Sequence, residues 1–74
     1  MLFRSFEDET FKDVALKMER WFDVEIEIKS QKLMALKMTG NFEKETITQA
    51  LEALKDLMHG KFNFDIKNNK IIIQ

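Results

Sequence analysis

His59 is the single histidine of this 74-residue chain and the first place to look for chemistry. One imidazole excludes a histidine-pair metal site and any relay that needs a second. Asp56 lies three residues earlier, a spacing that would let it orient His59 on a helix. The plainer account is that a basic group near a helix C-terminus suits the macrodipole. Glu7, Asp8 and Glu9 form an acidic run, echoed by Glu43 and Glu45. A hard cation needs roughly six or more oxygens around a tight loop, and the spacing of a calcium loop is missing. Acidic side chains entering a helix N-terminus are favourable without a metal, and that is the expectation here. Cysteine is absent, so neither a thiolate site nor a disulfide framework is available. Gly40 and Gly60 are the only glycines and stand too far apart for a phosphate loop. Paired carboxylates would need a cleft that so short a chain hardly forms. These residues predict no catalysis, no metal and no cofactor.

The charges point the same way. Twelve basic and 13 acidic residues leave a net charge of −1. Nucleic acid is normally met by a basic face, yet Lys29, Lys32 and Lys37 have Glu25 and Glu27 beside them. No nucleic-acid partner is expected. No apolar run approaches the ~20 residues of a membrane helix, so no direct membrane contact is expected of this stretch. Arg4, Glu7 and Asp8 interrupt any apolar region near the start, which argues against a signal peptide. The length predicts one domain over residues 1–74, and 45% hydrophobic residues must supply its stability by packing.

The elements that would carry these residues come in two related sets. Phe6-Glu7-Asp8-Glu9-Thr10-Phe11 returns 36 positions later as Phe42-Glu43-Lys44-Glu45-Thr46-Ile47. Phe11, Val14, Ala15, Met18 and Phe22 form one helical stripe; Ile47, Ala50, Leu51, Leu54 and Met58 form another. Thr46 with Gln49 reads as a capping box, and Thr10 with Asp13 as a weaker one. Asp23 and Gly60 suit the left-handed residue that ends each helix. After the helices, Val24, Ile26 and Ile28 alternate with charged residues, as do Phe62, Phe64 and Ile66. Asn68-Asn69 fits a two-residue hairpin turn, placing Ile66 opposite Ile71 and Phe64 opposite Ile73 on an inner face. Ile72 falls on the outer face, opposite Asp65. Before the helices, Leu2 to Phe6 and Leu36, Met38, Gly40 and Phe42 read as strands, with Gly40 a bulge or close-approach point. Ser30 to Ala35 links the halves. The prediction is an α+β fold of two βαβ units, β-α-β-β-α-β-β, with two helices packed against small sheets.

The same phrases resemble a known family. Glu9-Thr10-Phe11 and Met18-Glu19-Arg20-Trp21-Phe22-Asp23-Val24-Glu25-Ile26 resemble the first half of the small domain that ends FecR-type anti-sigma factors of Bacteroidetes-like bacteria. Met38-Thr39-Gly40-Asn41-Phe42, Glu45-Thr46-Ile47 and the hairpin from Phe62 to Ile73 resemble the second half. The chain departs from the pattern at Phe11, where Leu after Pro is usual, and at Ala15, where a larger apolar residue is common. The resemblance implies the periplasmic C-terminal domain of a single-pass inner-membrane regulator that holds a sigma factor in the cytoplasm. It also implies a partner: the signalling domain of a TonB-dependent outer-membrane transporter, itself a small duplicated domain.

Protein docking should then fall to apolar residues that fit the core poorly. Leu16 points about 140° from Phe11 on a helical wheel, and Trp21 lies at the edge of the stripe. A second sheet over the far side of the helix would bury both; otherwise they form a contact patch, for which Trp is a typical anchor. Ile72 is the best surface candidate, on a final strand expected to be an unpaired edge, with Lys70 discouraging promiscuous pairing. Truncating that strand, or changing Ile72→Glu, is expected to weaken docking while the helices stay folded. Two other roles remain open: structural self-association through the same edge, and small-ligand sensing in a pocket between the helices.

Overall fold

The computed structural model describes residues 4–74. Its elements run β1 (Arg4–Thr10), α1 (Phe11–Phe22), β2 (Glu25–Ile28), α2 (Gln31–Met34), β3 (Lys37–Phe42), α3 (Ile47–Leu57), β4 (Phe64–Lys67) and β5 (Lys70–Ile73). The fold is α+β with two small sheets, as the alternation of stripes predicts. Leu2 and Phe3, assigned by sequence to the first strand, lie outside the described residues.

Local chemistry sets the ends of the helices. Thr10 Oγ1 accepts from the Asp13 amide at 3.2 Å, satisfying one amide left free at the helix start. Thr46 and Gln49 close both bonds of a capping box: Thr46 Oγ1 accepts from the Gln49 amide at 3.2 Å, and Gln49 Oε1 from the Thr46 amide at 3.0 Å. Asp23 (φ 54°) ends α1, and Gly60 (φ 73°) takes the left-handed conformation just beyond α3. The duplication persists in atomic detail. Glu9 accepts from the Glu7 amide at 3.2 Å, and Glu45 accepts from the Glu43 amide at 2.6 Å.

The two halves interlock rather than fold separately. β1 pairs antiparallel with β3, while β2 and β4 flank β5 in the order β2-β5-β4. Each β-α-β run therefore sends its first strand to one sheet and its second to the other. β5 runs parallel to β2 and antiparallel to β4, so it occupies the seat between the two equivalent strands. The hairpin register agrees with the sequence: Ile66 faces Ile71, Asp65 faces Ile72, and Phe64 faces Ile73.

Between the sheets and helices lies an all-apolar core. Phe11 meets Phe62 edge to face at 5.2 Å, and Phe6 meets Phe42 at 5.6 Å, each pair joining one half to the other. Every buried residue among those described is apolar. Gly40 is a close-approach point: a Cβ there would sit 3.0 Å from Phe6 Cζ. The bulge lies across from it, in β1, where Phe6 faces Gly40 but Glu9 faces Met38. Asp8 takes φ 48° and donates its amide to Thr39 Oγ1 at 2.9 Å. Without the extra residue, Asp8 would follow Phe6 onto the inner face.

Four expectations need correction. β1 runs through the acidic run to Thr10, so Glu7, Asp8 and Glu9 belong to a strand, and Asp13 is the acid of the first α1 turn. The link between halves holds a short helix, α2, capped by Ser30 Oγ on the Leu33 amide at 3.3 Å. Ile66, assigned to the inner face, is 37% exposed, because it sits at the rim of its sheet. The final strand is no edge: it is the central strand of its sheet, and the rims are β2 and β4.

Candidate functional site

Leu16 projects from α1 with 53% of its surface exposed, so no second sheet covers this side of the helix. It lies in an open hollow of about 500 Å³ shared with Glu9, Asp13, Lys17, Glu19 and Arg20. Glu9 is fixed there by Lys17, whose Nζ donates to Oε2 at 2.6 Å. That bond, reinforced by the Glu7 amide, holds the Glu9 carboxyl below its ordinary pKa against a smaller opposing effect of burial. The patch is thus a leucine ringed by ordered charge.

Trp21 is half-buried and turned another way. Its ring meets Phe42 of β3 edge to face at 6.4 Å, and Phe22 meets the same ring at 6.4 Å. Arg4 lies over the Phe22 ring at 4.9 Å. Trp21 is therefore both part of the packing and partly open to a partner.

Lys70 and Ile72 share the outer face of the three-stranded sheet. The register sets Ile72 between Glu27 and Asp65, and Lys70 between Glu25 and Lys67. Lys70 Nζ approaches Glu27 Oε1 at 3.5 Å. Ile72 is half-buried, a lone apolar residue in a lattice of charge. The structure thus brings Lys70 and Ile72 together, while Leu16 and Trp21 occupy separate parts of α1. Because β5 is central, removing it would unseat both β2 and β4, so truncation tests folding rather than docking. Ile72→Glu would set a third carboxylate in the row of Glu27 and Asp65.

Leu36 and Leu57 are exposed apolar residues that the helical stripes pass over. They line one hollow with Lys37, Met58, His59 and Lys61. The duplication held the signal for Leu57, because it stands 36 positions after Trp21. His59 is exposed on left-handed backbone (φ 55°), and its amide donates to the Asp56 carbonyl at 3.1 Å. Among the described residues no acidic or histidine side chains gather as a ligand set. An open hollow of about 570 Å³ lies at the hairpin turn between Asp23, Glu25, Lys67 and Lys70. No helix among those described is long and apolar enough to cross a membrane.

Residues 4–73 match the family model described as FecR, C-terminal. The chain belongs to the FecR C-terminal family. The match spans nearly the whole chain and confirms the resemblance carried by Glu9-Thr10-Phe11, Met18 to Ile26, Met38 to Phe42, Glu45-Thr46-Ile47 and the closing hairpin. A solved structure from Parabacteroides distasonis ATCC 8503, of a protein assigned as an anti-sigma factor, superposes with a TM-score of 0.82 at 14% identity. The overlap covers 97% of this chain and 33% of that one, so this chain spans about a third of that chain's length. At this identity the likeness is one of fold. No curated protein matches the sequence.

Proposed function

We propose that this chain is the periplasmic C-terminal docking domain of a single-pass anti-sigma regulator. It reads the state of a TonB-dependent outer-membrane transporter and relays it towards an extracytoplasmic-function sigma factor. The family match over residues 4–73 carries this reading. The fold supports it, since an all-apolar core leaves the polar groups outside, where docking uses them. A relay of this kind needs no reaction, only different affinity for two states of a partner.

The docking surface we assign is the outer face of the three-stranded sheet around Ile72 and Lys70, with Leu16 and Trp21 as anchors of two further, separate contacts on α1. Titration calorimetry of the chain against the signalling domain of a TonB-dependent transporter tests both parts. Ile72→Lys is the informative variant, because Glu27 and Asp65 stand on either side to receive the new charge and the sheet should keep its stability. Docking should weaken by about tenfold or more, as expected for an apolar contact replaced by charge. Wild-type affinity in both Ile72→Lys and Leu16→Glu would refute this surface. Failure of the wild-type chain to bind any such signalling domain would refute the relay.

A further inference from the structure

The three-stranded sheet has two rims, and they are finished differently. At the β2 rim the Ile26 amide is taken by the Glu19 carboxylate of α1 at 2.8 Å, so a side chain occupies the middle of that edge. At the β4 rim the bonding pattern leaves a gap. Asn63 and Gln74 exchange both backbone bonds, at 2.7 and 2.9 Å. Bonded pairs alternate along an antiparallel ladder, so Asp65 with Ile72 and Lys67 with Lys70 are the next ones. Phe64 and Ile66 therefore turn their amides and carbonyls to the open side. Among the described residues neither amide meets an acceptor there. The Ile66 side chain shares this condition: it is 37% exposed while its cross-strand neighbour Ile71 is fully buried.

An added strand would satisfy backbone and side chain together, and the charges on β4 say which strand fits. We propose that two copies of this chain pair antiparallel through β4, about a two-fold axis at Ile66, joining their sheets into one. In that register Ile66 of each copy exchanges both backbone bonds with Ile66 of the other, and the two side chains cover one another. Asp65 of each copy then faces Lys67 of the other, twice, in the closer non-bonded pairs where side-chain charges interact most. Moving the axis to Asp65 would oppose two carboxylates, so charge selects the register. Such a contact is isologous and closes on itself, giving a dimer rather than a filament. It is also short, with pairing ended by Asn68 at φ 55°, so association should be weak.

Sedimentation equilibrium of the 74-residue chain over roughly 10 µM to 1 mM, the range of small interfaces, tests this. The wild-type chain should show a reversible monomer–dimer equilibrium. Asp65→Lys and Lys67→Asp should each weaken it by about tenfold or more, since each turns two attractive pairs into repulsive ones. Neither reversal sets like charges directly across β4 and β5 from one another, because Asp65 pairs with Ile72 and Lys67 with Lys70. Circular dichroism should accordingly show both variants folded. An equimolar mixture should restore association, because one variant carries two lysines along the rim and the other two aspartates. A wild-type chain that stays monomeric throughout would overturn the proposal. So would a single reversal that dimerises like wild type, or a mixture no stronger than its components. Transporter binding is read separately, so either proposal can fail alone.

Discussion

Glu9 shows how one residue acquires a role that its type does not announce. In the sequence it is one of three acids before a helix; in the fold it is the partner of Lys17 at 2.6 Å. Its pKa is lowered from the ordinary 4.5, chiefly by that bond. A carboxyl whose folded pKa is depressed adds stability above its unfolded pKa and loses it as pH falls through the folded value. Glu9→Gln should therefore flatten the acid limb of stability below about pH 4.5, measured as the urea midpoint against pH. An acid limb unchanged in the variant would show that the pair contributes nothing to folding. Ile72 makes a second case. Glu27 and Asp65 stand beside it in register, so Ile72→Glu should be less stable than Ile72→Lys by about 1 kcal/mol. Equal urea midpoints would mean that the outer-face charges do not interact across strands. Alternation alone placed Ile72 on the outer face. Its carboxylate neighbour on β2 came from a strand 45 positions away, which no local pattern reveals.

At the scale of elements, caps and close contacts divide the work. Thr46 is in a complete capping box, whereas Thr10 has only the forward bond. Thr46→Ala should cost about 1 kcal/mol, and more than Thr10→Ala, in paired denaturation curves. The opposite order would show that the reciprocal Gln49 bond adds nothing. Gly40 tests packing across the two-stranded sheet. A methyl there would press within 3.0 Å of Phe6, which Phe42 already holds from the other side at 5.6 Å. Gly40→Ala should destabilise by about 1–2 kcal/mol, because the clash outweighs the smaller entropic gain of replacing glycine in a strand. A midpoint at or above wild type would mean Phe6 moves aside freely. Both long helices, all five strands and the hairpin register were legible, apart from the extension of β1 to Thr10, since each follows from period and turn chemistry. The short α2 was not, as four residues are too few to show a period.

For the whole molecule, the decisive feature is that no half completes a sheet. β1 needs β3, and β2 needs β5, with each pair drawn from opposite halves. Peptides 1–36 and 37–74 should each be unfolded alone by circular dichroism, because helices of this length are marginal in water without packing. A cooperative melt from either peptide would contradict the interlocked arrangement. Residue order was enough to give the duplication, the helix faces, the capping sites, the hairpin and the family, because all of these are written in neighbours along the chain. Which strand stands in the middle was another matter. The last strand looked like a rim because its hairpin supplies one partner, whereas its second partner, β2, lies across the fold. Strand order is a competition among distant pairings for the same backbone groups. Its outcome moved the open edge to β4 and set Ile66, rather than Ile72, at the place where another strand can be added.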